Sequence, residues 1–371
     1  MAQRGFAAAG TDGSVLAPLL RASPTGFLVA IQPQGISVWP RLPAPYYAFF
    51  AAGIPAFTLS TEDNMSSSCG SSCSSQQGST CNSGDARLAQ QDLAINRSLG
   101  KIKNKILVMS GKGGVGKSTV AVNLALGLSR LGHKVGLMDV DLHGPDVCRM
   151  LSLSGELVAA SDEPDALVEP LTCGTMKVVS LEYMMKDKDD AVIWRGPLKI
   201  QAIRQFVADM DWGELDYLVV DAPPGTGDEP LTVAQTMPGV QAVIVTTPQE
   251  VALADVRKSI NFCRTVEMPV LGLIENMSGF VCPHCGKTVD VFGAGGGKRT
   301  AEEFDLPFLG AVPMDPQVVA GGDAGKPYLS SDAAAPAVQA FAAVVRAVET
   351  RLPPGRAIPP IPMASAGSCR I

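Results

Sequence analysis

Nine consecutive residues have the types and spacing of a loop that binds phosphate. They are Gly111, Lys112, Gly113, Gly114, Val115, Gly116, Lys117, Ser118 and Thr119. An apolar β-type run precedes them, and a helical pattern from Val120 to Leu131 follows. The glycines let backbone N–H groups approach an anion closely, and the start of the helix adds the positive end of its dipole. We therefore expect a nucleotide site in which Lys117 contacts the β- and γ-phosphates and Ser118 lies on Mg²⁺.

Two further segments place carboxylates directly after apolar runs of β type. Asp139-Val140-Asp141 ends one run, and Asp221 ends another, before a loop rich in proline and glycine. We expect the side chains of Asp139 and Asp141 to point to opposite sides, so that Asp139 supports the Mg²⁺ shell and Asp141 orients a water on the γ-phosphate. Asp221 has the form of the carboxylate on the Mg²⁺ side in phosphate-loop enzymes. Solvated loop carboxylates are the alternative for the first pair.

Lys112 occupies a position that the general phosphate-binding loop leaves free. We expect a lysine so early in the loop to project away from its own phosphates. It would then stabilise transition-state charge in a partner subunit, as an arginine finger does. A solvated surface lysine is the alternative.

Cys282-Pro283-His284-Cys285-Gly286 is a candidate metal site. Two thiolates separated by two residues can chelate one centre, which zinc and iron–sulfur clusters both accept. A redox dithiol is a third alternative. One such pair supplies two ligands, so a closed site needs either His284, for a local zinc knuckle, or a symmetry-related chain that adds two more thiolates. From these residues alone, zinc ranks first.

Residues 103–352 alternate between strand and helix patterns. The apolar strand candidates are Ile106–Met109, Val135–Met138, Met176–Leu181, Tyr217–Val220, Ala242–Thr246, Val270–Ile274 and Phe308–Val312. Strands with almost continuous apolar sequence are buried on both faces, which indicates a parallel sheet. We therefore expect an α/β fold with a doubly wound, mostly parallel sheet, helices on both faces and ligands at the carboxyl ends of the strands.

The two ends of the chain differ from this domain in composition. Residues 1–64 have few charges, frequent proline and no sustained apolar period, and Met65 would make a plausible start. We predict a disordered extension over 1–64 and a disordered, proline-rich tail over 353–371.

Residues 65–102 combine a Ser- and Cys-rich arm with a short helix. The arm carries Cys69, Cys73 and Cys81 in low-complexity surroundings that cannot bury enough apolar surface to fold alone. Its thiols either hold a metal once a fourth ligand is supplied or stay unliganded. Helical spacing follows from Asp85 to Leu99.

Composition excludes some classes of protein. The 371 residues carry a formal net charge of −6, so the basic footprint of nucleic-acid binding is missing. No apolar run approaches the roughly 20 residues of a membrane span. Nine cysteines, an odd number, beside a nucleotide loop favour reduced thiols and metal ligation over a disulfide framework. We expect a cytoplasmic protein with no nucleic-acid or membrane partner.

Taken together, these motifs resemble a known group of ATPases. Lys112 in its loop, the Asp139–Asp141 pair and the Asp221–Asp228 segment are similar to the deviant Walker A relatives of MinD, ParA and the nitrogenase iron protein. Val192–Pro197, and Glu275–Ser278 followed by the cysteine pair, narrow the resemblance to the Mrp/ApbC-type iron–sulfur cluster carriers. The match covers roughly residues 85 to 351.

The resemblance implies an ATP-sandwich homodimer in which Lys112 crosses to the other subunit and Asn276 recognises adenine. It also implies that Cys282 and Cys285 of two subunits bridge one [4Fe–4S] cluster. The three cysteines of the arm depart from the four-cysteine arm of the eukaryotic cytosolic branch, so a second stable cluster is not implied.

The expected function is that of a carrier that binds and hydrolyses ATP and passes its cluster to apoproteins. A positioning ATPase like MinD or ParA and an ATP-gated iron–sulfur reductase are the alternatives.

Overall fold

A computed structural model describes the protein in parts. It covers residues 82–141, 144–155, 157–159, 167–184, 196–282, 284–327 and 335–355, and the backbone of three strands between 19 and 40. The thiols Cys69, Cys73 and Cys81, most of Val192–Pro197 and the tail after Gly355 lie outside these residues. The chain divides into two units, Met1–Gln76 and Gln77–Ile371.

In the first unit, three strands form an antiparallel sheet in the order β1-β2-β3. They are β1 (Leu19–Ala22), β2 (Phe27–Gln32) and β3 (Gly35–Pro40). These strands fall within residues 1–64. The disordered extension proposed for that region stays a prediction.

The second unit alternates strands and helices. Its strands are β4 (Ile102–Ser110), β5 (Val135–Asp139), β6 (Val158–Ala159), β7 (Val168–Glu169), β8 (Leu171–Cys173), β9 (Met176–Ser180), β10 (Leu215–Asp221), β11 (Gln241–Thr246), β12 (Val270–Val281), β13 (Thr288–Val289) and β14 (Phe308–Met314). Its helices are α1 (Asn82–Leu99), α2 (Lys117–Arg130), α3 (Val147–Met150), α4 (Gly196–Ala208), α5 (Asp228–Thr236), α6 (Glu250–Thr265), α7 (Gly296–Glu303), α8 (Pro316–Asp323) and α9 (Pro336–Arg351).

Within the described residues, nine strands form one sheet in the order β13-β12-β11-β4-β10-β5-β9-β8, with β14 pairing β12. Only the β8–β9 and β12–β13 pairs in this sheet are antiparallel. This confirms the expected α/β class with a mostly parallel sheet. In register, Asp221 of β10 pairs with Val108 of β4 and Asp139 of β5. Their side chains therefore reach the same edge of the sheet.

Two apolar layers cover the two faces of the sheet, because alternate residues of each buried strand point to opposite faces. Ile106 and Val108 of β4 join one cluster with α2 and α9. Leu107 and Met109 join the other with α4, α5 and α6. In the part of the chain described here, no helix combines the length and the apolar character needed to cross a bilayer.

Candidate functional site

The loop from Gly111 to Gly116 connects β4 to α2 at the carboxyl edge of the sheet. Gly114 and Gly116 have positive φ angles of 79° and 78°, a conformation that favours glycine. Gly116 is the residue before α2, and no side chain caps that helix. The helix thus begins at Lys117, and its first N–H groups are available to an anion.

Position 111 requires glycine because helix α6 approaches it closely, and not because of its backbone angles. A Cβ at Gly111 would lie 2.4 Å from the backbone carbon of Asp255. We predict that Gly111→Ala lowers the free energy of unfolding by about 1–3 kcal/mol, because two backbones must separate.

Gly113→Ala is the matched control. A Cβ there has only the Pro224 side chain nearby, at 3.8 Å, and we expect a change within about 0.5 kcal/mol. Chemical denaturation of both variants without nucleotide measures the difference. Equal stabilities would contradict the close approach of β4 and α6.

Lys117 lies at the centre of a buried ionic cluster. Its Nζ donates to Asp221 Oδ1 at 2.6 Å and to Ser118 Oγ at 3.2 Å, and it lies 3.6 Å from Asp141 Oδ2. Lys117 is 6% exposed and Asp221 is fully buried. A buried charge is stable only when it is paired, so the lysine neutralises the carboxylates here. The structure thus brings together four of the predicted residues, Lys117, Ser118, Asp141 and Asp221.

Asp139 is also fully buried and accepts several hydrogen bonds. Its Oδ1 accepts from the Asp141 amide at 3.0 Å, and its Oδ2 accepts from Ser180 Oγ at 3.2 Å. Burial, followed by the nearby charge of Asp221, raises the pKa of Asp139 well above its usual value. Lys117 interacts electrostatically with both Asp139 and Asp141. The expectation that these two carboxylates point to opposite sides is therefore corrected, since alternate residues of an extended chain share a side.

The raised pKa of Asp139 makes stability depend on pH. The folded state binds the Asp139 proton more tightly than the unfolded state, so this contribution to stability is lost as pH rises through the folded-state pKa. We predict that Asp139→Asn, which cannot ionise, gains stability relative to wild type as pH rises above about 4. Denaturation of both proteins at several pH values tests this. A constant difference would show that burial does not control this carboxyl.

Asp221 provides the observation that bears on Mg²⁺. Among the described residues, its buried Oδ2 has no hydrogen-bond partner. Burial raises the pKa of Asp221, while Lys117 and the Ser118 hydroxyl lower it. A carboxylate oxygen with an unused lone pair beside a hydroxyl group fits a hard cation that prefers oxygen ligands. The residues present are therefore suited to Mg²⁺.

The loop after β10 lies against the phosphate-binding loop. The Gly225 amide donates to the Ser110 carbonyl at 2.8 Å, and Gly225 has a φ of 96°. Further along, Lys199 of α4 pairs with the buried Glu229 of α5 at 2.7 Å. The loop after β10 is therefore held next to the phosphate-binding loop.

Lys112 differs from Lys117 in exposure. Its side chain is exposed, whereas its carbonyl accepts a hydrogen bond from Ser110 Oγ at 2.9 Å. The backbone at Lys112 is therefore held while the ammonium is in solvent. This is compatible with the predicted reach to a partner subunit, which stays a prediction.

A cavity of about 460 Å³ lies beside the first turn of α2. Gly116, Thr119, Asn276, Met277 and Met314 are among its lining residues. Asn276 is 7% exposed, and its Nδ2 donates to the Val115 carbonyl at 2.9 Å. Asn276 is therefore next to the phosphate-binding loop, and its recognition of adenine stays a prediction.

Cys282 and Cys285, the two cysteines predicted to bind a metal centre, follow the end of β12. The Cys282 amide donates to the Lys287 carbonyl at 3.0 Å, and the Gly286 amide donates to the Cys282 carbonyl at 2.9 Å. Cys282 is half-buried and Cys285 is exposed. Hydrogen bonds from the amides of His284 and Cys285 to the sulfur lower the pKa of Cys282. Lowering the pKa favours the thiolate, which is the form that binds metal.

Local completion of a metal site by His284 finds no support in the described residues. Among them, no three Cys, His, Asp or Glu side chains form a group able to hold a metal ion. Within that part of the chain, the cysteine pair offers two candidate ligands.

Two residues near the site had no individual role in the sequence predictions, although Glu275 is part of the Glu275–Ser278 segment that carries the family resemblance. Ser180 bonds Asp139 and ends β9, so a polar residue at the carboxyl end of an apolar strand was the available signal. Glu275 is fully buried, and its carboxylate accepts from the amides of Gly295 at 2.8 Å and Gly297 at 2.5 Å. It therefore anchors the start of α7. The signal for Glu275 was a charged residue within an apolar strand.

Comparisons with known proteins agree with these motifs. The family model described as ParA, NUBPL iron-transfer P-loop NTPase, matches residues 101–349. The "Iron-sulfur cluster carrier protein" of Methanocaldococcus jannaschii is 48% identical over 254 residues, which cover 68% of this chain and 87% of that protein. The "Cytosolic Fe-S cluster assembly factor CFD1" of Saccharomyces cerevisiae is 49% identical over 238 residues, or 62% of this chain and 81% of that protein.

A solved structure is also similar. The nucleotide-binding protein of Archaeoglobus fulgidus in complex with ADP, with cobalt found in it, has a TM-score of 0.56 and 40% identity. The match covers 63% of this chain and 91% of that one. With the phosphate-binding loop, the buried Lys117 cluster and the family match over most of the second unit, the chain belongs to the NUBPL iron-transfer P-loop NTPases of the ParA family.

Proposed function

We propose that the protein is an ATP-dependent iron–sulfur cluster carrier that holds a cluster between two copies of itself and transfers it to apoproteins. One observation carries this proposal. Asn276, at the phosphate-binding loop, and Val281, next to Cys282, lie on the same strand β12. A nucleotide site and a thiol pair are thus joined by one element. The relatives named as carriers and assembly factors support the same role.

In the proposed nucleotide site, each residue of the buried ionic cluster around Lys117 has one role. Lys117 leaves its pairing with Asp221 to contact the β- and γ-phosphates, and the Gly113–Gly116 amides surround them. Ser118 and Asp221 hold Mg²⁺, and Asp139 supports the shell of ligands around the ion. When bound, this ion neutralises charge on the phosphate oxygens. Asp141 positions the water that attacks the γ-phosphate, and members of this NTPase family hydrolyse nucleotide in general.

The cluster half treats the iron–sulfur centre as cargo. Two thiolates from each copy supply four sulfur ligands across a two-fold axis, which is the number that a [4Fe–4S] cluster requires. Both cysteines of each chain lose their protons on ligation. The N–H···S hydrogen bonds at Cys282 already favour that form. An exposed position at the end of β12 suits delivery rather than storage.

We propose a homodimer with Lys112 reaching the other copy's ATP, and apo iron–sulfur proteins as acceptors. A cytoplasmic location is part of this proposal, since relatives of about half identity are named cytosolic assembly factors. Nucleic acid and membranes are not among the proposed partners.

Transfer to an acceptor tests the proposed function. The full chain is reconstituted anaerobically with iron and sulfide, mixed with an apo [4Fe–4S] enzyme with or without Mg-ATP, and separated by size. We expect iron and sulfide to appear in the acceptor and its activity to recover, with ATP changing the rate. A cluster that stays bound and only changes oxidation state would favour a reductase. Nucleotide-dependent co-sedimentation with lipid vesicles or DNA, without transfer, would favour a positioning ATPase.

A further inference from the structure

Strand β12 contains a bulge between Asn276, which contacts the phosphate-binding loop, and Val281, which precedes Cys282. It pairs with β14 at Asn276↔Val312 and again at Phe280↔Met314, so two extra residues lie on the β12 side. Within the bulge, Met277 and Gly279 have positive φ angles of 57° and 75°. A methionine in this conformation is uncommon. Bulges bend a strand and redirect its side chains, and they occur often beside active sites.

On one side, the bulge contacts the phosphate-binding loop. Asn276 Nδ2 donates to Val115, and a Cβ built at Gly116 would lie 2.3 Å from that nitrogen and 3.7 Å from Met277 Cε. The Asn276 and Met277 side chains therefore cover Gly116, the residue directly before the phosphate-binding lysine. A movement of Gly116 on nucleotide binding would therefore act on these two side chains.

On the other side, the bulge leads into a hairpin that carries the cysteines. Phe280 and Val281 pair with Val289 and Thr288 of β13, and the Cys282 amide bonds Lys287. The base of the bulge is fixed as well, because the buried Glu275 carboxylate holds the start of α7. Inside the bulge, Ser278 Oγ donates to Glu275 Oε1 at 2.5 Å, so this side chain is tied to the base. The irregular backbone at Met277 and Gly279 lies between two held segments, which is the form of a hinge.

We propose that the bulge Met277–Gly279 is a hinge through which nucleotide at the phosphate-binding loop sets the position of the hairpin that carries Cys282 and Cys285. Met277 is the positioning residue, because its side chain covers Gly116 while its backbone turns toward the hairpin. By linkage, anything bound at the thiols changes nucleotide affinity by the same factor. The identity of the metal centre bound at the thiols rests on the proposed function. The movement of the hairpin does not require that a cluster is bound.

Alkylation of the two thiols in the metal-free full-length chain tests the hinge. Peptide mapping by mass spectrometry gives the rate at each of Cys282 and Cys285, with and without Mg-ATP. We expect ATP to change the wild-type rate by about fivefold or more. Met277→Gly frees the backbone and removes the side chain, and Met277→Ala removes the side chain alone. Both should bring the ratio of the alkylation rates with and without Mg-ATP close to 1, with the Mg-ATP concentration set to saturate each variant.

Glu267→Gly is the matched control, because Glu267 is another left-handed non-glycine residue, with a φ of 55°, and it is exposed. It lies just before β12 begins, at the opposite edge of the sheet from the phosphate-binding loop. We expect it to keep the wild-type ratio. Loss of the ratio in this control, retention of the ratio in either Met277 variant, or a wild-type ratio of 1 would each overturn the hinge.

Iron analysis separates the hinge from the carrier proposal. If reconstituted wild type retains no iron while the alkylation ratios behave as expected, the hinge stands and the carrier proposal fails. If wild type binds and transfers its cluster but Met277→Gly keeps the ATP-dependent ratio, the carrier stands and the hinge fails.

Discussion

Removing both thiols of the pair, in the variant Cys282→Ala/Cys285→Ala, is expected to abolish cluster binding while ATP binding stays intact. Iron retained after anaerobic reconstitution should fall from about four atoms per two chains to less than about one tenth of that value, because the four thiolates proposed to hold the cluster are removed. The thiols lie in a hairpin beyond β12, whereas the proposed phosphate contacts come from the β4–α2 loop. ATP affinity should therefore change by no more than about threefold.

The arm cysteines supply the matched control. The variant Cys69→Ala/Cys73→Ala/Cys81→Ala removes the three thiols that are the other candidate ligands. We expect it to keep the wild-type content of iron and sulfide, measured by colorimetric assay and by visible absorbance. A normal content in the Cys282/Cys285 variant, together with a loss in the arm variant, would place the cluster on the arm.

Substitution of Lys112 by alanine is expected to lower kcat for ATP hydrolysis by about 100-fold or more, with ATP affinity within about threefold of wild type. A charge supplied in trans to a transferring phosphoryl group is worth about 10³–10⁵ in related phosphoryl-transfer sites. The exposed Lys112 side chain contrasts with the buried Lys117, which should be required for binding itself. Lys101→Ala, at another exposed lysine, is the control and should have wild-type kcat.

Mixing two inactive variants distinguishes action across subunits from action within one chain. Lys112→Ala keeps an intact nucleotide site, and Lys117→Ala keeps Lys112 but loses its own site. If Lys112 acts on the partner's ATP, mixed dimers regain hydrolysis at one of their two sites. A mixture that stays as inactive as its components, while mass measurement shows mixed dimers, would place Lys112 in its own site or outside catalysis.

Local sequence predicted much of the fold because the patterns that carry it are short-range. The strands proposed at Ile106–Met109 and Tyr217–Val220 are confirmed as parts of β4 and β10, since continuous apolar runs specify strands buried on both faces. The phosphate-binding loop was predictable from its glycines, because glycine adopts the positive φ angles found at Gly114 and Gly116 without steric cost.

What sequence analysis missed depends on contacts between distant segments. Ser180 lies 41 residues from the Asp139 that it bonds, and Glu275 holds amides 20 and 22 residues away. The spacing of residues along the chain does not show that these segments contact one another. The bulge at Met277 could not be predicted from the sequence either, because it follows from the change of register between β12 and β14 and not from the type of residue.

In the proposed carrier, two chains share one cluster. Molar mass by light scattering, combined with anaerobic iron, sulfide and zinc analysis of the same fractions with and without Mg-ATP, decides whether they do. We predict a dimer that carries about four iron and four sulfide atoms per two chains, with a stoichiometry that depends on the nucleotide. A monomer under every nucleotide condition, or a dimer that holds about one zinc ion per chain and no sulfide, would contradict it.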